Sequence, residues 1–249
     1  MDTTIFFTSA TSATDSMLRI FCKIARFDFE SAKFTNQFAV NGSLQEIADA
    51  VVPLDGKLHR INVPEYLNRS MNLDDYRFVI NYRDPRDRLC NMYHWALIHP
   101  VPGASKEDIR KRATEIEGEG IDAWVLKRAD TKPYENFWWL LNNLDSSKFI
   151  VQSYARLCLD FDSFVQRASS FFSVDLTDEL LGALESERVE KLDQNKNWIG
   201  NRWVGSDIAP GRFKRELKVE TVEQLNEIFM PTLELMAEFD PEFVETYLS

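Results

Sequence analysis

Apolar residues along the chain fall into two rhythms. Short runs rich in β-formers read as strands: Thr3-Thr4-Ile5-Phe6-Phe7, Lys57–Val63, Arg77–Tyr82 and Lys148–Tyr154. The second run is bounded by Gly56 and Pro64, the third is closed by Asp84-Pro85, and the fourth follows the turn-forming Asp145-Ser146-Ser147. Between and after them the spacing is helical: Met17–Ala25, Pro85–Ile98, Lys106–Glu117, Tyr134–Leu144, Phe161–Phe172, Thr177–Leu192 and Thr221–Phe239. Thr177 before Asp178 and Glu179 marks a helix start, with acidic residues at the positive end of the dipole. Few short apolar strands among many helices predict an α/β fold: a parallel sheet of four to five strands with helices on both faces. No repeat or long linker divides the chain, so 1–249 is expected to form a single domain. The stretch Asn195–Pro210, with Trp198, Trp203, Gly200, Gly205 and Pro210, reads as a long loop or lid.

Composition narrows the function. The 249 residues are 44% hydrophobic and 12% aromatic, enough to build a sizeable core. Asp and Glu number 40 against 29 Lys and Arg, a net charge of −11. Nucleic-acid and basic membrane-surface binders need positive surface, so neither partner is expected. No apolar run approaches the roughly 18 residues of a membrane-spanning helix. The opening Met1–Phe7 has no basic segment and does not read as a signal peptide. Cys22, Cys90 and Cys158 are far apart and lack a Cys-x-x-Cys pair, which argues against disulfide frameworks and zinc and fits a reducing cytoplasm.

Two constellations carry candidate chemistry. The first is the loop from Ser9 to Ser16, nearly all small or hydroxylic, between a strand and a helix. Hydroxyls of Ser12, Thr14 and Ser16, with the backbone N–H groups of a helix start, suit an anionic oxygen. Its plain alternative is an ordinary capped helix. It is not a Walker A loop, since it has neither Gly nor a following Lys, and Asp15 opposes an anion unless it turns away. The second is Arg83-Asp84-Pro85-Arg86-Asp87, with Asn91 two turns into the helix that Pro85 opens. Arg83 stands at a strand's carboxyl end, where open α/β sheets bind ligands, and a guanidinium there can fork a phosphate. Its plain alternative is a charged surface turn that pairs with itself.

The second constellation, continued by Tyr93-His94-Trp95, resembles the nucleotide 3′-phosphate motif of the cytosolic-type sulfotransferases. That family has a P-loop-like α/β fold and uses 3′-phosphoadenosine 5′-phosphosulfate (PAPS) without a metal. The resemblance implies that Arg83 and Asn91 hold the 3′-phosphate, with Asn91 in place of a Ser. Lys57–Pro64 is similar to the family's Lys-Thr-His-Leu-Pro strand, implying His59 as general base and Lys57 as a contact to the transferring group. Tyr154 falls where a Tyr-Glu-Asp segment borders adenine, although Ala155 and Arg156 follow it here. Gly211-Arg212-Phe213-Lys214 resembles a C-terminal Gly-x-Trp-Lys segment, implying nucleotide contacts from Arg212 and Lys214. Ala10-Thr11-Ser12-Ala13-Thr14-Asp15 aligns with Pro-Lys-Ser-Gly-Thr-Thr, so Thr11, Ser12, Ala13, Thr14, Asp15 and Ser16 would line the 5′-phosphosulfate.

The loop is also the main departure, because the family's lysine has become Thr11 and its second threonine Asp15. Losing one such donor costs on the order of 10²–10³ in rate. The Arg-Lys-Gly expected before the final motif is missing, with Arg202 the nearest substitute. The expected activity is sulfuryl transfer to a hydroxyl or amine of a small-molecule acceptor. The alternatives are a nucleotide-binding protein that has lost turnover and a small-molecule kinase using ATP and Mg²⁺. The remaining singled-out residues are expected to be structural: His94 in packing, His99 at a helix end, Trp138, Trp139, Phe171 and Phe172 in the core. The oligomeric state is not legible.

Overall fold

The computed structural model describes residues 3–30, 32, 58–67, 69–70, 72–98, 104–194 and 208–249. Lys57, His99, Trp198, Arg202, Trp203 and the loop stretch 195–207 lie outside the described residues. In chain order the elements are β1 (Thr3–Phe7), α1 (Thr14–Ala25), β2 (Leu58–Ile61), β3 (Tyr76–Ile80), α2 (Pro85–Ile98), α3 (Lys106–Glu119), α4 (Ile121–Lys127), α5 (Lys132–Asn143), β4 (Phe149–Val151), α6 (Tyr154–Leu159), α7 (Phe161–Phe172), α8 (Asp178–Leu184), α9 (Phe213–Glu216), α10 (Val219–Phe239) and α11 (Val244–Tyr247). They gather into two compact units, Met1–Arg83 with Lys132–Ile199, and Asp84–Thr131 with Gly200–Ser249. Each unit is assembled from two separate stretches, so neither is a continuous piece of chain.

The first unit holds the sheet, four strands in the order β2-β1-β3-β4, all parallel. Every residue of β1 is buried, as a strand covered on both faces requires. Alternation sends Phe6 to one face, where it meets Phe21 of α1 edge-on at 5.1 Å, and Phe21 stacks on Phe164 of α7 at 5.6 Å. Phe7 goes to the other face and packs on Phe137 of α5 at 4.7 Å. Helices therefore cover both sides of the sheet, as the sequence pattern implies.

In the second unit, α2 begins and ends where the sequence predicts. Arg86 forks the Asp84 carboxylate and donates to the Tyr247 carbonyl at 2.7 Å, tying the start of α2 to α11. Asp87 accepts from the backbone N–H groups of Gly211 and Phe213, fixing the entry to α9.

Several expectations shift. The Lys148–Tyr154 run ends as a strand at Val151, because the Ser153 hydroxyl accepts from Arg156 N–H and caps α6, so Tyr154 opens a helix. The Thr177–Leu192 helix stops at Leu184 and continues in two 3₁₀ turns. Helix α4, opened by Gly120 at φ 75°, has no counterpart in the sequence reading. Trp138 and Trp139 are only half-buried, and the core face of α5 is carried by Tyr134, Phe137, Leu140 and Leu141.

Candidate functional site

A polar strap levels the carboxyl ends of the sheet. Each ladder runs one bond past its strand, from Thr8 N–H to the Ile61 carbonyl, Asn81 to Phe7 and Gln152 to Ile80, all at 2.8 Å. Side chains cross-link the same level: Thr8 donates to Asn81 Oδ1 at 2.6 Å, and Asn81 Nδ2 to the Gln152 carbonyl at 3.1 Å. Gln152 Nε2 in turn donates to the Phe164 carbonyl at 2.8 Å, anchoring the strap to α7. Polar groups bonded in series hold one geometry across this ledge, with Gln152 Oε1 left buried without a hydrogen-bond partner.

From the ledge, residues 8–13 turn into α1 through two left-handed non-glycine residues, Thr11 at φ 68° and Ala13 at φ 59°. Such a residue costs about 1–2 kcal/mol, and strain of this kind gathers at ligand sites where surroundings over-determine it. Here the loop's own hydroxyls do so. Ser9 and Ser12 share a 2.8 Å bond, Thr14 donates to the Ser9 carbonyl at 3.0 Å, and the Ser16 hydroxyl accepts from Arg19 at 3.2 Å. The hydroxyls of Ser12, Thr14 and Ser16, expected to face an anion, therefore brace the loop and α1. The helix start itself supplies the donors. Ala13 is the N-cap and offers no side-chain acceptor, and the first intrahelical bond runs from Met17 N–H to its carbonyl. The N–H groups of Thr14, Asp15 and Ser16 precede that bond, where a helix binds anions.

Two guanidinium groups stand around this loop. Arg83 is 3% exposed, donates to the Thr11 carbonyl at 3.0 Å and lies 4.0 Å over the Tyr154 ring. Thr11, Arg83 and Tyr154, from three separate stretches of sequence, thus meet in one cluster. Thr11 Oγ1 is buried there without a hydrogen-bond partner. Arg60, which the sequence reading did not single out, reaches from β2 to the Asp15 carboxylate. Asp15 is therefore turned toward a cation.

His59, the expected general base, is deeply buried. It is 2% exposed, within β2 at the edge of the sheet, and in register with Ile5 on the face opposite to Arg60. A general base must come within hydrogen-bond reach of the proton it takes. The residue that follows the end of β2 is Asn62, whose Oδ1 is buried without a hydrogen-bond partner. Pro64, two residues further on, opens a 3₁₀ turn.

The other expected site residues lie in the second unit. Arg212 is 0% exposed and donates twice to Glu216 Oε1, at 2.6 and 2.9 Å, and to Asn91 Oδ1 at 3.3 Å. The structure thus joins Asn91 and Arg212, with Arg212 held by a carboxylate of its own helical turn. His94, expected in packing, shares a 2.9 Å bond with Glu216 Oε2. Burial pushes the Glu216 carboxyl up, but hydrogen bonds from His94 and Arg212 outweigh it and leave the group below its ordinary value. Lys214 is exposed and reaches the Ser249 hydroxyl. Among the described residues no three His, Cys, Asp or Glu side chains form a group that could hold a metal ion.

The residues of the first unit fit a phosphorylated adenosine at three points: a buried guanidinium, an aromatic ring beside it and a helix start with free donors. At a fourth, the loop lysine of the resemblance, Thr11 brings no charge. No family model matches the chain. No curated protein matches it either. Solved structures do. Mouse sulfotransferase SULT7A1 complexed with PAP is 12% identical, with a TM-score of 0.61 over 94% of this chain and 85% of that one. Retinol dehydratase in complex with androsterone and inactive cofactor PAP is 16% identical, with a TM-score of 0.58 over 93% of this chain and 80% of that one. Retinol dehydratase with retinol and PAP gives 14% and 0.59, over 93% and 81%. The chain has the sulfotransferase fold over nearly its whole length, and the likeness is one of fold.

Proposed function

We propose that this protein binds PAPS and transfers its sulfuryl group to a hydroxyl or amine of a small-molecule acceptor. The observation that carries the reading is the cluster of Thr11, Arg83 and Tyr154 beside the strained start of α1. Bound PAPS supplies an activated sulfuryl group: a bond forms from the acceptor atom to sulfur as the bond from sulfur to the bridging oxygen breaks, and the acceptor loses its proton. The first-turn N–H groups of α1 hold an anionic oxygen, Arg83 grips phosphate and Tyr154 borders the base. From the second unit, Asn91, Arg212 and Lys214 are proposed contributors to nucleotide affinity, each to be tested by its own substitution. Lys57 is the proposed contact to the sulfuryl oxygens. His59 is the proposed base, though its ring is 2% exposed; unchanged turnover in His59→Ala would hand the proton to water. A small apolar acceptor is in keeping with the retinol and androsterone bound by retinol dehydratase. No helix of the described residues is long and apolar enough to cross a membrane, and we propose that the protein works in the cytoplasm as one domain.

A second reading is favoured by Thr11 in the lysine place and by the burial of His59: the fold retains the nucleotide and has lost turnover. Thermal melting with adenosine 3′,5′-bisphosphate (PAP) and with ATP-Mg²⁺ tests the common part. Saturation at 100 times Kd adds about 2.7 kcal/mol. Stabilisation by the bisphosphate alone supports both readings, and labelled sulfate on an acceptor in a broad screen separates them. Stabilisation by ATP-Mg²⁺ alone would overturn both in favour of a kinase.

A further inference from the structure

Asp15 is the only charged residue between Thr8 and Ser16, and its sign opposes the anion proposed for that loop. Its partner shows how the opposition is handled. Arg60 lies in register with Phe6, whose ring packs on α1, so the guanidinium is carried on the α1 face of the sheet. Its charge reaches inside that face. Burial and the charge of Asp28 push the Cys22 thiol up to about 12, and Arg60 pulls the other way.

The pair is lopsided. Arg60 is 2% exposed and fixed in the sheet, whereas Asp15 is 39% exposed and stands in the first turn of α1. The described bond to Asp15 uses Nη1, and Nε of Arg60 is buried without a hydrogen-bond partner. A guanidinium has five N–H donors, and a buried one left part-used offers more than this carboxylate takes. An anion presenting several oxygens satisfies such a fork better than a single bond does. Asp15 can leave, because water and the positive end of the helix dipole both receive a carboxylate released there.

We infer that Asp15 and Arg60 form a self-occupied anion site, in which the Asp15 carboxylate holds the guanidinium until the phosphosulfate end of the nucleotide displaces it. The inference rests on the proposed nucleotide reading and adds a resident competitor to it. Asp15 sets the affinity from below, and Arg60 supplies the charge that Thr11 does not.

Calorimetric titration of PAP into wild type, Asp15→Asn and Arg60→Met tests this. Asp15→Asn should bind about tenfold tighter and Arg60→Met at least about tenfold weaker, the range expected for a hydrogen bond to a charged group. Opposite signs from the two halves of one ion pair are the signature. A pair that only secures the fold shifts both variants the same way or neither. Asp15→Asn binding equally or more weakly overturns the competitor, while wild-type binding in the same experiment keeps the nucleotide reading. A folded wild type that takes no bisphosphate removes both. Should Arg60→Met fail to fold, Arg60→Lys replaces it: charge without the fork should weaken binding, and unchanged affinity counts against the inference.

Discussion

The Arg86–Asp84 pair and the Arg60–Asp15 pair use the same two side-chain types to opposite ends. Arg86 and Asp84 are 1% and 4% exposed, and all three guanidinium nitrogens are taken: Nε and Nη2 by Asp84, Nη1 by Asn226, Nη2 again by the Tyr247 carbonyl. The Phe213 ring lies 4.0 Å beneath. Nothing in that pair has anywhere to go. Arg60 is equally buried, but its partner is half in water and its Nε has no hydrogen-bond partner. A sealed, saturated ion pair holds a fold, and a pair sealed at one end only is built to exchange its partner. The charge run 83–87 teaches the same lesson. Arg83 turns to the Thr11 loop, while Asp84, Arg86 and Asp87 are consumed by the packing of the second unit.

The sharpest way to break the comparison is Arg86→Met. It strands a buried carboxylate and should cost about 3–5 kcal/mol in denaturant unfolding. A loss under about 1 kcal/mol, the range of surface pairs, would dissolve the distinction between the two pairs. Next comes Arg83→Ala, which should weaken PAP binding by about 1.5–3 kcal/mol in calorimetry. Unchanged affinity would return Arg83 to the structural class of its neighbours. Glu216→Gln probes the second unit through pH. The native carboxyl lies below the 4.5 of a free glutamate, so its stabilisation is complete above that value and is lost as pH falls through the native one. The stability gap between wild type and Glu216→Gln should be full at neutral pH and close on acidification below 4.5; a gap that widens in acid would contradict the assignment. The smallest effect is expected from Ala13→Gly. Relieving a left-handed alanine should add up to about 1 kcal/mol to the melting free energy, tempered by the extra freedom of an unfolded glycine.

Much of the site was legible because it follows from local pattern. The strand Thr3–Phe7, the polar loop after it and Pro85 at the start of α2 are each encoded within a few residues. So was the placement of Arg83 just beyond β3, which needs only the end of an apolar run. Other features run against local pattern. Alternation carries the expected strand on to Tyr154, but the capping Ser153 ends it and makes Tyr154 the start of a helix. The small hydroxyl residues of the loop looked like ligands by composition, while their bonds to Ser9 and Arg19 depend on where the backbone bends.

Periodicity and punctuation alone determined the α/β class, the parallel strands, the helices on both faces and the polar loop that leads into α1, since burial and capping act over one or two turns. Only the tertiary structure decided which charges are spent on the fold and which remain for a ligand. Whether Arg60 meets Asp15, or Arg212 meets Asn91, depends on strand register and helix docking. Electrostatic partners are chosen by proximity in space, and proximity across 45 or 121 residues of chain is written in no local pattern.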